Sequence, residues 1–358
     1  MAQAERTRVD IRVATEPPPG WDALTVAPPG GHVLQGLAAA EDARRRGWSP
    51  RFATFGEERA ALLLIAPRPP LPGFFAYAPR GPVSAGDGAS DVAARAIALA
   101  AWCRAEGATI LAVDPELEAD PVYDEALAAA GFRVAEEIQP SRHRMVVRFP
   151  PGADEAALWG RLQRSARQRV RAAERGGTTV HHDEAGECLE AFASLMDETA
   201  RRRHFAFDAH GDFIHWWRAV LAAGEARFLV AEHEGRLLGG LLLYVQGGIH
   251  ATAFSADDAA SRSSHPGTMH LLRWTAIREA LTDGRAAIEL GGVDLPGERH
   301  RPQPGDRAWG LYEHKVALGA TWLESAAAHE IVLRPLTYRT ALALHAVRRS
   351  LRSWSRAR

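Results

Sequence analysis

Of the 43 lysines and arginines in this 358-residue chain, one is a lysine: Lys315, in the stretch WGLYEHKVALGAT (309–321). The chain is rich in Ala, Arg and Gly, a composition that replaces lysine by arginine wherever charge alone matters. The two differ where chemistry matters. An ammonium is a compact charge whose proton affinity burial can lower, whereas a guanidinium is a planar fork that stays protonated. A single retained lysine therefore predicts a site that needs an amine, and Lys315 is the candidate catalytic residue. A second candidate is Arg80 in YAPRGPV (77–83). Two prolines around Arg-Gly predict a rigid turn after a strand, where a fixed guanidinium holds a phosphate or carboxylate or simply caps the turn. Basic runs form a third group. RLQRSARQRVRAAER (161–175) carries six arginines against one glutamate, Arg167 and Arg171 among them. The tail 334–358 carries seven arginines, including Arg348 and Arg349, and no acid. Such runs are solvated helix faces or contacts to a phosphate-rich or anionic membrane surface. His181–His182 and GERHRPQPGDR (297–307) lack paired metal-ligand spacing, so no metal is expected; the second reads as a loop over a cleft. Tyr312 and Tyr244 are candidates for lining that cleft, with a buried, hydrogen-bonded tyrosine as the alternative for each.

These residues need a scaffold. With 46% apolar and 24% charged residues, the chain has the composition of a soluble globular protein, long enough for about two domains. It has no uninterrupted apolar run of membrane-spanning length. The start, MAQAERTRVD, has no apolar signal core, which places the chain in the cytoplasm. Cys103 and Cys188 define neither a disulfide framework nor a metal site.

The chain reads as two similar halves. RFATFGEERAALLLIAP (51–67) and RFLVAEHEGRLLGGLLLYV (227–245) both run strand, polar turn, strand. AIALAAWCRAEGATILAVD (96–114) and LLRWTAIREALTDGRAAIELGGVD (271–294) both run apolar helix, closing glycine, buried strand. The reading is a duplicated mixed α/β (α+β) protein, each half with a largely antiparallel sheet flanked by helices. That order resembles the acetyltransferase-like (GNAT) fold. Between the halves a helix is predicted over roughly 153–175, with Trp159, Leu162, Ala166, Val170 and Ala173 on one stripe. Another is predicted over 184–202, with Leu189, Phe192, Leu195, Met196 and Thr199 on one face. The boundaries are set at 1–150 for the first domain, 151–334 for the second with the lysine, and 335–358 for a basic C-terminal helix.

In order and spacing these pieces resemble the Fem-type (FemABX) aminoacyltransferases, tandem GNAT-like proteins. The resemblance runs over nearly the whole chain. It takes in Gln35 with Gly47-Trp48, YAPRGPV, RQRVRAAERGG (167–177), ETARRRHF (198–205), PGTMHLLRWTAIREALTDG, IELGG (288–292) and GLYEHKVALGA (310–320). The last is similar to the family's Gly-Leu-Tyr/Phe-x-Phe-Lys-x-x-Phe-Gly, and Lys315 falls on its functional lysine. Arg203 resembles the family arginine that grips substrate phosphate. The resemblance implies transfer of an amino acid from aminoacyl-tRNA, as co-substrate without a further cofactor, to an amine of a peptidoglycan precursor stem peptide. The implied partners are that tRNA and a nucleotide- or lipid-linked precursor, with peripheral contact at the inner membrane face, for a monomer. One departure bears on the acceptor: the position that is often Lys in nucleotide-precursor-binding members falls on Ala43, beside Arg44.

The rival readings are an acyl-CoA-dependent N-acyltransferase, a tRNA-dependent amide ligase of a natural-product pathway, and a non-catalytic RNA- or membrane-binding module. A CoA pyrophosphate needs a Gly-rich loop at a helix start. The corresponding SRSSHPGTMHLL (261–272) has one glycine and a proline. A module that only binds would accept arginine at position 315.

Overall fold

The computed structural model describes residues 9–67, 71–203, 211, 213–341 and 343. They form two units, one of residues 1–138 with 326–358, the other of residues 139–325.

The first unit contains β1 (Arg12–Ala14), α1 (Trp21–Thr25), α2 (Leu37–Arg45), β2 (Ser49–Phe55), β3 (Arg59–Pro67), β4 (Phe74–Ala78), α3 (Ala89–Ala105), β5 (Ile110–Val113), α4 (Pro121–Ala129), β6 (Arg133–Val134) and the late strand β14 (His329–Val332). Its sheet runs β1-β2-β3-β4-β5-β14-β6, antiparallel except for the parallel pair β4–β5. The continuous apolar run of β3 follows from its position: Leu62 and Leu63 point to opposite faces and both are fully buried. Alanines of α3 pack on one face with Leu63, Leu111 and Val113. Trp21 of α1 meets Phe52 edge-on, 4.9 Å between ring centres.

The second unit contains β7 (Arg144–Arg148), α5 (Glu155–Arg161), α6 (Arg164–Arg175), β8 (Thr179–His182), α7 (Leu189–Arg203), α8 (Ile214–Ala222), β9 (Ala226–His233), β10 (Arg236–Gln246), β11 (Ile249–Asp257), α9 (Thr268–Thr282), β12 (Ala287–Glu289), α10 (Trp309–Ala317) and β13 (Thr321–Leu323). Its sheet runs β13-β7-β12-β11-β10-β9-β8, with β11–β12 the parallel pair. Helices α5, α6, α9 and α10 share a core with Leu241 and Leu243 on one face of β10. Phe192 of α7 and Trp217 of α8 pack on the other face beside Phe228, their rings tilted against one another.

Read from β1 and from β8, the two sheets have one strand order, with β7 standing where β14 stands. The duplication is therefore real, but the boundaries differ from those at 150 and 334. Strand β7 pairs with β12 and β13 in the second unit, and β14 pairs with β5 and β6 in the first. The Pro-Gly turn of RFPPGADE marks a strand end, not a domain edge. Residues 335–341 are helical and belong to the first unit; most of the remaining tail lies outside the described residues.

The expected helix over 153–175 is two helices. Leu162 and Gln163 adopt extended backbone, and the Gln163 N–H donates to the Ala317 carbonyl (2.9 Å). Arg167 then reaches back to the α5 carbonyls, donating to Leu162 O (2.5 Å) and Gly160 O (3.2 Å). The apolar stripe survives the break from Leu162 through Ala166, Val170 and Ala173, all buried. In α5, however, Leu158 is the buried residue, and the expected Trp159 packs half-buried against the same core.

Candidate functional site

Strands β11 and β12 pair as far as Ala251 opposite Glu289. Beyond that point β11 continues to Asp257 against β10 alone, with a register break opposite Leu242–Leu243. After β12 the chain turns through Gly291, whose φ is +80°. The parallel pair thus opens where β12 ends. Backbone at such a parting needs partners, and Lys315 supplies them.

Helix α10 carries Lys315 into the unit with its side chain 3% exposed. Its Nζ donates to the carbonyl oxygens of Gly291 (2.9 Å) and Gly292 (2.8 Å). Burial pushes its proton affinity well below that of an ordinary lysine, and the Arg273 charge adds to this; Glu289 and Asp294 act the other way. The helix closes just past the lysine, where Gly319 takes φ +85° and the Ala320 N–H returns to the Lys315 carbonyl (3.2 Å).

Behind the lysine lies a polar group that the sequence reading missed. Arg273 of α9 is buried, and its guanidinium meets His314 Nε2 at 2.7 Å and donates to Ser255 Oγ at 3.2 Å. Because the arginine must donate, His314 accepts at Nε2 and carries its proton on Nδ1. Burial, then Arg273, His270 and Lys315, hold His314 far below the usual histidine range. The His270 ring crosses it at 4.2 Å between centres and is pushed down to about 4 by burial, Arg273 and Arg169. The sequence signal was His314 itself, which stands where the resembled segment has Phe.

The turn is fixed from outside as well. Asp294, fully buried, accepts from the backbone N–H groups of Arg142 (2.9 Å) and His143 (3.0 Å) and pairs with Arg299 (2.7 Å). Stretch 297–307 is thereby anchored, with Arg299 also donating to the Pro140 carbonyl (2.8 Å).

The other expected residues are distributed differently. Tyr312 shares the core with Leu318, and its hydroxyl accepts from Arg301 Nε (2.6 Å). Tyr244 accepts from Trp216 Nε1 (2.8 Å) on the opposite sheet face, so it does not meet Lys315. Arg171 lies over the Trp159 ring, 5.4 Å from its centre, and Arg167 caps α5 as described. Arg203 ends α7, and its side chain, like Arg348 and Arg349, lies outside the described residues. Among the described residues no group of three or more His, Cys, Asp or Glu is placed to hold a metal ion.

Arg80 belongs to the first unit. Its φ is +52°, its N–H donates to Asp114 (2.6 Å), and its guanidinium lies 3.7 Å from Glu116. Asp114, missed from the sequence, follows β5, is fully buried and also accepts from the Tyr77 hydroxyl (2.8 Å). Burial outweighs these contacts and pushes its carboxyl up to about 6. Gln35 clamps the same turn, donating to the carbonyls of Pro79 (2.6 Å) and Leu62 (3.2 Å) and accepting from the Leu62 N–H (2.8 Å).

Two sheets of one order, each with a single parallel pair and covered by helices, define a tandem GNAT-fold protein. Residues 160–309 match the acetyltransferase (GNAT) domain family. The chain is 31% identical over 229 residues to the lipid II:glycine glycyltransferase of Staphylococcus saprophyticus, covering 60% of this chain and 54% of that protein. It is 31% identical over 226 residues to the enzyme of the same name from Staphylococcus aureus, covering 58% and 52%. The chain thus spans about half the length of these relatives. The crystal structure of FemX superposes with a TM-score of 0.75 at 22% identity, over 89% of this chain and 97% of that one. The Fem-type resemblance of the sequence is borne out by this likeness, and the fold is that of a tandem GNAT protein.

Proposed function

We propose that the chain moves an amino acid from aminoacyl-tRNA to an amine on a peptidoglycan precursor, the reaction that builds an interpeptide bridge. The observation that carries this reading is the lone lysine, buried where β11 and β12 part and bound to two consecutive carbonyls. In the reaction the amine nitrogen bonds to the ester carbonyl carbon, and the bond from that carbon to the ribose oxygen breaks. The amine proton ends on the ribose oxygen. Two hydrogen-bonding positions of Nζ are taken by Gly291 and Gly292, which leaves one for the reacting centre. A nitrogen fixed in advance in a dry site can take the proton of the attacking amine there and, once charged, donate to the oxygen that leaves.

The CoA reading is less well supported. A pyrophosphate needs an open helix start, yet Gly267 at the start of α9 packs against α6 so closely that an added Cβ would overlap the Arg169 carbonyl. The acceptor favoured is the lipid-linked precursor. The relatives are named for lipid II, and Ala43 is buried in α2 with Arg44 paired to Glu41 (3.1 Å). Peripheral contact with the inner membrane face follows from such an acceptor; among the described residues no helix is long and apolar enough to cross a membrane.

The test is incubation with a mixed charged-tRNA pool and either lipid-linked or nucleotide-linked precursor, with products read by mass. Precursor should gain one aminoacyl group, and ribonuclease should abolish the gain. Activity that survives ribonuclease and requires acetyl-CoA overturns the reading.

A further inference from the structure

Arginine buried beside lysine is an expensive arrangement, because like charges oppose one another most where water is excluded. Here the two come from different helices. Arg273 projects from α9, and its guanidinium is held by His314, the residue immediately before Lys315 on α10, and by Ser255 on the stretch of β11 that β12 no longer pairs. The arginine therefore bridges three elements that surround the lysine. A phenylalanine at position 314 could not accept its hydrogen bond.

We propose that Arg273 is a positioning residue for Lys315, locked by His314 and Ser255 so that the lone amine is confined to the Gly291–Gly292 turn and presented to the reacting centre. The proposal rests on the reading of Lys315 as the group at that centre. The charge arrangement agrees with it. Arg273 disfavours the protonated amine, Glu289 and Asp294 favour it, and His314 and His270, both held neutral, add no charge of their own. An unprotonated Lys315 still gives its two hydrogens to the two carbonyls and turns its lone pair to the substrate. It can then take the proton from the attacking amine and return it to the departing ribose oxygen.

Because the chain holds one lysine, the amine can be followed without any substrate. Protein grown with lysine labelled at the ε-carbon gives a single side-chain resonance, and its pH titration reports Lys315 alone. Arg273→Met should move the midpoint upward by at least about one pH unit, a tenfold change in proton affinity. His314→Phe should move it in the same direction by less, since the guanidinium stays but loses its anchor. In parallel, the acid limb of the transfer rate should shift to higher pH by the same amount. Should Arg273→Met fail to fold, His314→Phe carries the test. An unchanged midpoint in the folded variants, or a wild-type midpoint already at the ordinary lysine value, overturns the proposal. Shifted midpoints in a protein that transfers nothing would leave the Arg273–Lys315 relation standing and refute the proposed function instead.

Discussion

The Nζ of Lys315 lies 2.9 Å from the Gly291 carbonyl oxygen, and a Cβ added to Gly291 would come within 3.5 Å of the same nitrogen. The lysine and the glycine therefore form one structural unit: the side chain holds the turn, and the glycine supplies the positive φ that the turn needs, with a Cβ there pressing on the Thr252 carbonyl at 3.1 Å. With φ at +80°, Gly291 occupies backbone space that costs an L-residue about 1–2 kcal/mol. Gly291→Ala should lose about that much stability in denaturant titration and at least about tenfold in transfer rate, since the turn shifts off the lysine. Lys315→Met keeps the apolar reach and removes the donor. It should cost about 1–3 kcal/mol by leaving the Gly292 carbonyl unpaired, and slow transfer by about 10²–10³. Wild-type turnover in folded Lys315→Met would remove the lysine from the chemistry.

Gln35 offers a test of the first unit alone. Its amide makes three hydrogen bonds inside the core, two to the carbonyls of Leu62 and Pro79 and one from the Leu62 N–H. Gln35→Leu fills a similar volume but leaves all three backbone groups unpaired. Stability should fall by at least about 3 kcal/mol, visible as a lower urea midpoint with an unchanged slope. A loss under about 1 kcal/mol would mean that water replaces the amide and that the clamp is not structural.

Asp114 predicts a pH dependence of definite sign. Its carboxyl is raised to about 6 in the folded protein, from an ordinary value near ~4 in the unfolded chain. The folded state thus binds this proton more tightly, and its contribution to stability is greatest below the unfolded value. That contribution is lost as pH rises through about 6. Asp114→Asn keeps an acceptor for the Arg80 N–H and removes the titration. Between pH 4 and 7 the wild-type melting temperature should therefore fall relative to that of Asp114→Asn, by an amount corresponding to about 2–3 kcal/mol. Parallel melting curves across that range would show that the carboxyl titrates alike in both states.

Several features needed only the sequence. The lone lysine, the doubled strand–turn–strand and helix–glycine–strand patterns, and the helix ends at Gly107 and Gly284 are all local. Each is set by residue type and short-range periodicity, and the two glycines take φ of +85° and +67° as helix closures require. Local pattern also placed the stripe of α6 from Leu162 to Ala173 correctly, whereas the break before Arg164 shifted the buried position of α5 from Trp159 to Leu158. Tertiary structure decided the rest. Strands β7 and β14 carry ordinary strand sequences, and nothing within them says which sheet completes its hydrogen bonds; β14 joins β5 across more than 200 residues of chain. Arg273 looked like one basic residue among many, and Tyr244 read as either a cleft residue or a buried, hydrogen-bonded one, of which the second is what the structure holds. Only the placement of α9 on the sheet, which sets Arg273 against His314 and Ser255, turned the arginine inward, and only the alternation of β10 put the tyrosine on the far face. Charge and burial are jointly set by neighbours distant in sequence, and for that reason the Arg273–His314–Lys315 group could not be read from the chain alone.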